Sequence, residues 1–162
     1  MVIDIHTHIL PKNLPDLEKK FGYGGWISLE HNPDGTANMI KNGKHFRVVE
    51  CNCWDPSARL EDCQDSGVDL QVLSTIPVMF SYWADPKHTH ALSRILNDDI
   101  AHTVNENPRR FAGLGTIPMQ DTNLAIDELE RCINELVLSG VQIGSNINGE
   151  KLSSSNFYPI FE

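Results

Sequence analysis

The chain has 162 residues, 40% of them hydrophobic, which suits one globular domain with a substantial core and excludes a disordered segment. Lysine and arginine number 13 against 22 aspartates and glutamates, and the net charge of −9 argues against nucleic acid or an anionic membrane surface as the main partner. No apolar run spans a bilayer and the N-terminus lacks a basic stretch before a long apolar core, so the sequence reads as cytosolic, without membrane partners and with reduced cysteines.

The chain opens on MVIDIHTHIL. Alternation at the strand period sets Asp4, His6 and His8 on one face and Ile3, Ile5 and Ile9 on the other. Two histidines at i and i+2 on a strand lie about 6.6 Å apart with parallel side chains and can converge on one ion. With Asp4 on the same face, metal ligation is the better reading than a pair of satisfied polar residues near a strand end. ILPKNLPDLEKKFGYGGW then reads as a loop with a short helical turn near Asp16 to Lys20. The glycines of FGYGGW read as a flexible turn, because no strand leads into them and no helix with a Lys-Ser or Lys-Thr start follows.

WISLEH, NPDG and ANMIKNGKHFRVV predict a small antiparallel β insertion over about residues 12–55, with Asn42-Gly43 as a tight hairpin turn. Cys51 and Cys53 lack the spacing of a structural zinc motif, and Cys63 and Cys132 supply no second pair, so all four read as free thiols. Ser57 to Ser66 predicts a helix stopped by Gly67, and VDLQVLSTIP a buried strand. A helix follows from about Pro86 to Glu106, then a strand in FAGLGTIPM, an amphipathic helix in NLAIDELERCINELVL and a fourth short strand in GVQIG.

Alternating strands and helices mean right-handed crossovers and a parallel sheet. Length favours an open doubly wound sheet, since barrels take about 250 residues. The motifs favour the first half of a (β/α)8 barrel, because no glycine-rich turn follows the first strand. In such a barrel His6 and His8 stand at the strand end where active sites are built. The other His-x-His, His88 and His90, falls in a helical stretch, where side chains two residues apart diverge by about 200° and cannot grip one ion. These two read as surface residues. His102 on that helix, and His31 and His45 in the insertion, read as solvated or packing residues. Arg109 and Arg110 precede the third predicted strand, at the barrel end associated with stability. Arg47 lies on the insertion that grows from the metal strand. It either clamps a substrate carboxylate bidentately or is a solvated hairpin arginine.

IDIHTHILPK, FGYGGW, FRVV, NCWDP, STIPVMFSYWA, NPRRFAGLGTIPMQ and GVQIG, in this order, closely resemble the 2-amino-3-carboxymuconate-6-semialdehyde decarboxylases, a family of the amidohydrolase superfamily, across nearly the whole chain. The resemblance implies an α/β fold, with residues 1–162 forming the N-terminal part of a TIM-type (β/α)8 barrel domain. It implies zinc (Zn2+) and non-oxidative decarboxylation of a small anionic semialdehyde in the kynurenine pathway of tryptophan degradation, limiting quinolinate formation. The full-length form is expected to be a cytosolic homodimer. His6 and His8 match the family's paired zinc ligands, and Arg47 its substrate-carboxylate arginine. The remaining ligands, a His and an Asp, and the catalytic His are expected beyond Glu162, so no catalytic residue is assigned within this chain. The segment alone is expected to hold zinc weakly, to lack activity and to self-associate. GVQIGSNIN departs from the family, with Asn146 in a stretch where relatives often carry Thr-His after the glycine. A truncated non-catalytic chain and a hydrolase of the same superfamily are the alternatives, separated by metal content, CO2 release and the carbon count of the product.

Overall fold

The computed structural model describes residues 1–162. After β1 (Ile3–Ile9) the chain makes an excursion through α1 (Leu17–Phe21) and three antiparallel strands, β2 (Ile27–His31), β3 (Ala37–Lys41) and β4 (Lys44–Val49). Asp16 caps α1 by accepting from the Lys19 N–H. Asn42 and Gly43, at φ 53° and 67°, make the predicted two-residue turn between β3 and β4.

The chain then alternates: α2 (Pro56–Ser66), β5 (Leu70–Thr75), α3 (Pro86–Glu106), β6 (Phe111–Gly115), α4 (Thr122–Asn134) and β7 (Gly140–Val141). A hairpin that the sequence reading did not anticipate, β8 (Asn146–Ile147) and β9 (Glu150–Lys151), precedes the short α5 (Tyr158–Phe161). Each long helix begins at an aspartate. Asp55, Asp85 and Asp121 accept from the backbone N–H of Ser57, Lys87 and Leu124, contacts worth about 1 kcal/mol each. Gly67, at φ 70°, ends α2 in the left-handed conformation that glycine adopts freely.

The order β1-β5-β6-β7, parallel throughout, advances one strand at a time without reversing. A doubly wound sheet reverses at a switch point; this sheet is instead the first half of a (β/α)8 barrel. Ile9, Leu73 and Phe111 pack against Ile100 of α3, Cys132 of α4 and Leu138 on the outer face. A second cluster joins the insertion to the strand ends through Leu10, Trp26, Met39, Trp54, Met79 and Leu92.

Three local expectations change. β7 holds two paired residues rather than the whole of GVQIG, with one more backbone bond from Gln142 N–H to Gly115 O. FGYGGW is no free turn: Gly25, at φ +103°, lies under the Trp83 ring, where a Cβ would stand 2.4 Å from it. The apolar side chains of early β1 are not buried, with Ile3 45% and Ile5 76% exposed: Ile3 pairs with Leu70 on the sheet face turned away from the helices, which residues 1–162 leave uncovered. No helix is long and apolar enough to cross a membrane.

Candidate metal centre at the end of the first strand

The ladder between β1 and β5 slips by one residue. Asp4 pairs with Gln71, whereas Thr7 pairs with Leu73 and His8 with Ser74. Ile5 and His6 therefore share one partner position on β5, which makes a β-bulge. Leu73 lies in the outer cluster under α3, and alternation along β5 puts Gln71 on that same face and Ser74 on the inner one. Asp4 thus points outward with Gln71, and His8 points inward with Ser74. This corrects the expectation that Asp4 joins the histidines: the extra residue reverses the parity of the strand between them. Asp4 Oδ1 instead accepts the His6 backbone N–H at 3.2 Å. From the outer side, buried Arg59 of α2 donates to Gln71 Oε1 at 3.0 Å and to the His8 carbonyl at 2.6 Å.

His6 and His8 come together, with ring centroids 5.1 Å apart and ring planes at 76°. His8 Nδ1 lies 3.2 Å from the Ser74 hydroxyl, which donates to the Thr7 carbonyl at 2.9 Å. Burial, and then the neighbouring His6, push the His8 imidazole below its ordinary pKa, against the opposing pull of the nearby Thr75 and Ser74 backbone. The neutral ring is thereby favoured, and neutral imidazole is the form that binds a metal. A catalytic zinc site takes three protein ligands, and no three His, Cys, Asp or Glu side chains converge here. The two imidazoles fit a borderline cation such as zinc as part of its ligand set.

Arg47 pairs with Met39 across the β3–β4 ladder and so shares its face of the insertion sheet. Met39 is buried against Leu10, Trp54 and Met79, so that face is the one turned to the strand ends. Arg47 itself is exposed and forms no hydrogen bond with either histidine. Arg110, by contrast, donates to the Asp69 and Val68 carbonyls at the opposite end of the sheet, the structural place expected of it.

His88 and His90, expected at the surface, are half-buried, because α3 is packed on both of the sides they occupy. His88 stacks on Phe21, with centroids 4.4 Å apart, and its Nδ1 lies 3.0 Å from the Tyr23 hydroxyl. His90 Nε2 stands 3.2 Å from Asp127 and 3.5 Å from Glu128 of α4. His31 packs edge-on to Trp54 and donates to the Lys12 carbonyl at 2.7 Å, while His102 stays exposed beside Glu106. Sequence reasoning passed over Ser74, whose only signal is a hydroxyl inside the apolar run VLSTIP. It also passed over Glu128, fully buried between α3 and α4, where Arg131 and Asn97 donate to it at 2.7 and 2.6 Å. All four cysteines are free.

The family model described as amidohydrolase matches residues 3–162. The chain is 56% identical over 160 residues, 99% of its length, to the 2-amino-3-carboxymuconate-6-semialdehyde decarboxylase of Dictyostelium discoideum, and covers 45% of that protein. A crystal structure of 5-carboxyvanillate decarboxylase from Novosphingobium aromaticivorans, complexed with manganese and 4-hydroxy-3-methoxy-5-nitrobenzoic acid, superposes with a TM-score of 0.65 at 30% identity, over 68% of this chain and 32% of that one. A putative amidohydrolase from Staphylococcus aureus matches in fold with a TM-score of 0.70 at 21% identity, over 99% of this chain and 42% of that one. The chain spans less than half the length of the curated relative it matches.

Proposed function

This chain belongs to the amidohydrolase family, and from that starting point we propose that it is the metal-binding half of a zinc-dependent, non-oxidative decarboxylase acting on 2-amino-3-carboxymuconate 6-semialdehyde. One observation carries the reading. His6 and His8 meet on the inner face at the C-terminal end of β1, where barrels of this kind build their sites, in a chain similar throughout to a decarboxylase of that substrate. Two imidazoles suit zinc, while manganese in the Novosphingobium enzyme shows that a relative takes a divalent cation.

When bound, the cation supplies Lewis acidity and positive charge beside the reacting carboxylate. His6 and His8 would hold it, since strand alternation sets both rings on one side of β1, while the bulge turns Asp4 away from them. Arg47 presents a planar fork of donors that matches a substrate carboxylate bidentately. It also offsets, locally, a net charge of −9 that otherwise repels an anionic substrate. Loss of CO2 leaves an electron pair on the substrate carbon, which fixed positive charge at this end of the strand would stabilise and which a proton must quench. That proton is assigned to a histidine outside residues 1–162. The reaction draws its substrate away from quinolinate in tryptophan catabolism. The full-length form is cytosolic and homodimeric, which cell fractionation and sedimentation test.

The decisive experiment strips the full-length protein of metal, reloads it with Zn2+ or Mn2+, and measures CO2 from the semialdehyde. Metal-dependent release of one CO2 per substrate is expected. A product that keeps every substrate carbon overturns the reading in favour of hydrolytic chemistry.

A further inference from the structure

We propose that Ser74 is a positioning residue for His8: it holds the imidazole in the Nδ1–H tautomer and so presents the Nε2 lone pair to the cation. The inference rests on the metal reading for the role of that lone pair, whereas the tautomer stands on the hydrogen-bond network alone. Ser74 is 4% exposed, and its hydroxyl touches two groups, the Thr7 carbonyl at 2.9 Å and His8 Nδ1 at 3.2 Å. A hydroxyl carries one proton, and a carbonyl oxygen only accepts. The Ser74 proton therefore goes to Thr7. Were it turned to His8, the Ser74 and Thr7 oxygens would face each other at 2.9 Å with no proton between them.

What Ser74 offers His8 is then a lone pair, and the contact is favourable only when Nδ1 carries the proton. A neutral imidazole has a single N–H, so Nε2 is left as the acceptor or ligand. The geometry is rigid on both sides. Ser74 sits directly across from His8 in the β1–β5 register, between Leu73 and Thr75, both essentially buried. On the opposite face the Arg59 guanidinium holds the His8 carbonyl at 2.6 Å. His6 has no such ring partner, so the two histidines are unequal: His8 is set in advance, and His6 adjusts to it.

The test uses full-length protein with 15N-labelled histidine, metal-free, at about pH 8, where imidazole is neutral. Two-bond proton–nitrogen correlations then report which ring nitrogen carries the proton. His8 is expected to be protonated at Nδ1 in the native protein and to move toward the Nε2–H form in Ser74→Ala, with His6 unchanged. Zinc affinity, measured by chelator competition, is expected to fall about 10- to 100-fold in Ser74→Ala, the usual cost of losing an outer hydrogen-bond partner. Ser74→Thr, which keeps the hydroxyl, restores both. A lower Tm in Ser74→Ala with the tautomer and zinc affinity unchanged means that Ser74 only ties β1 to β5, and overturns the proposal. If Ser74→Ala does not fold, Ser74→Cys gives the same reading, since a thiol accepts weakly and shifts the tautomer part of the way. A native protein with His8 at Nδ1–H that binds no zinc supports the tautomer assignment and overturns the metal reading instead.

Discussion

His-x-His occurs twice in this chain, and the two copies behave in opposite ways. In β1, His6 and His8 face one side with rings 5.1 Å apart. In α3, His88 goes to Phe21 and Tyr23 of the insertion, and His90 to Asp127 and Glu128 of α4. Residue types and spacing are identical, so the backbone period alone separates them. A strand returns to the same face every second residue, while a helix turns by about 200° over the same step. The strand pair is left with ring nitrogens that can converge on a ligand. The helical pair is consumed by packing.

The comparison breaks if the helical pair holds metal. In the full-length form, His6→Ala or His8→Ala is expected to weaken zinc binding by more than the roughly 10²-fold that even an outer partner can cost, whereas His88→Ala and His90→Ala leave zinc content unchanged by elemental analysis. Equal loss in all four variants sinks the argument from backbone period. Next in size is Arg47→Ala, which should lower kcat/KM by about 10²-fold, or roughly 2–3 kcal/mol for a charge-assisted contact, with zinc content intact. Arg47→Lys recovers only part of the loss, because an ammonium lacks the planar fork. Unchanged kinetics in Arg47→Ala would make it a solvated hairpin arginine.

The reverse asymmetry should appear in stability. His88→Ala removes the stacking on Phe21 and the partner of the Tyr23 hydroxyl, so it is expected to lower Tm by about 2–4 °C, for a cost of about 1 kcal/mol. The metal-free His6→Ala variant should shift Tm less than His88→Ala, since the His6 ring makes no hydrogen bond to any residue of 1–162. The smallest effect is one of pH. Burial and His6 lower the His8 pKa in the folded chain, so on acidification the unfolded chain takes up the proton first. The contribution of neutral His8 is fully present above about pH 6.5 and is lost as pH falls through that value toward the lower folded one. Urea unfolding of the metal-free protein between pH 7 and 5 should therefore show a shallower decline in His8→Asn than in the native chain.

Much of this molecule is written locally. The helices start at Asp55, Asp85 and Asp121 and α2 ends at Gly67 because caps act within one turn, and the Asn42-Gly43 turn is a two-residue device. His6 and His8 were legible for the same reason: strand period is a property of the backbone. Other features depend on segments far apart in the chain. The bulge that turns Asp4 outward exists only in the pairing of β1 with β5, and Ser74 meets His8 across 66 residues. Which face of the insertion carries Arg47 follows from its register against Met39 and from what Met39 packs on. Burial of Glu128 and the partners of His88 and His90 arise where α3 meets α4 and the FGYGGW loop. Local sterics and capping set where each element runs, whereas pairing register and burial are settled only when distant surfaces compete for the same contacts, and no short window of residues carries that outcome.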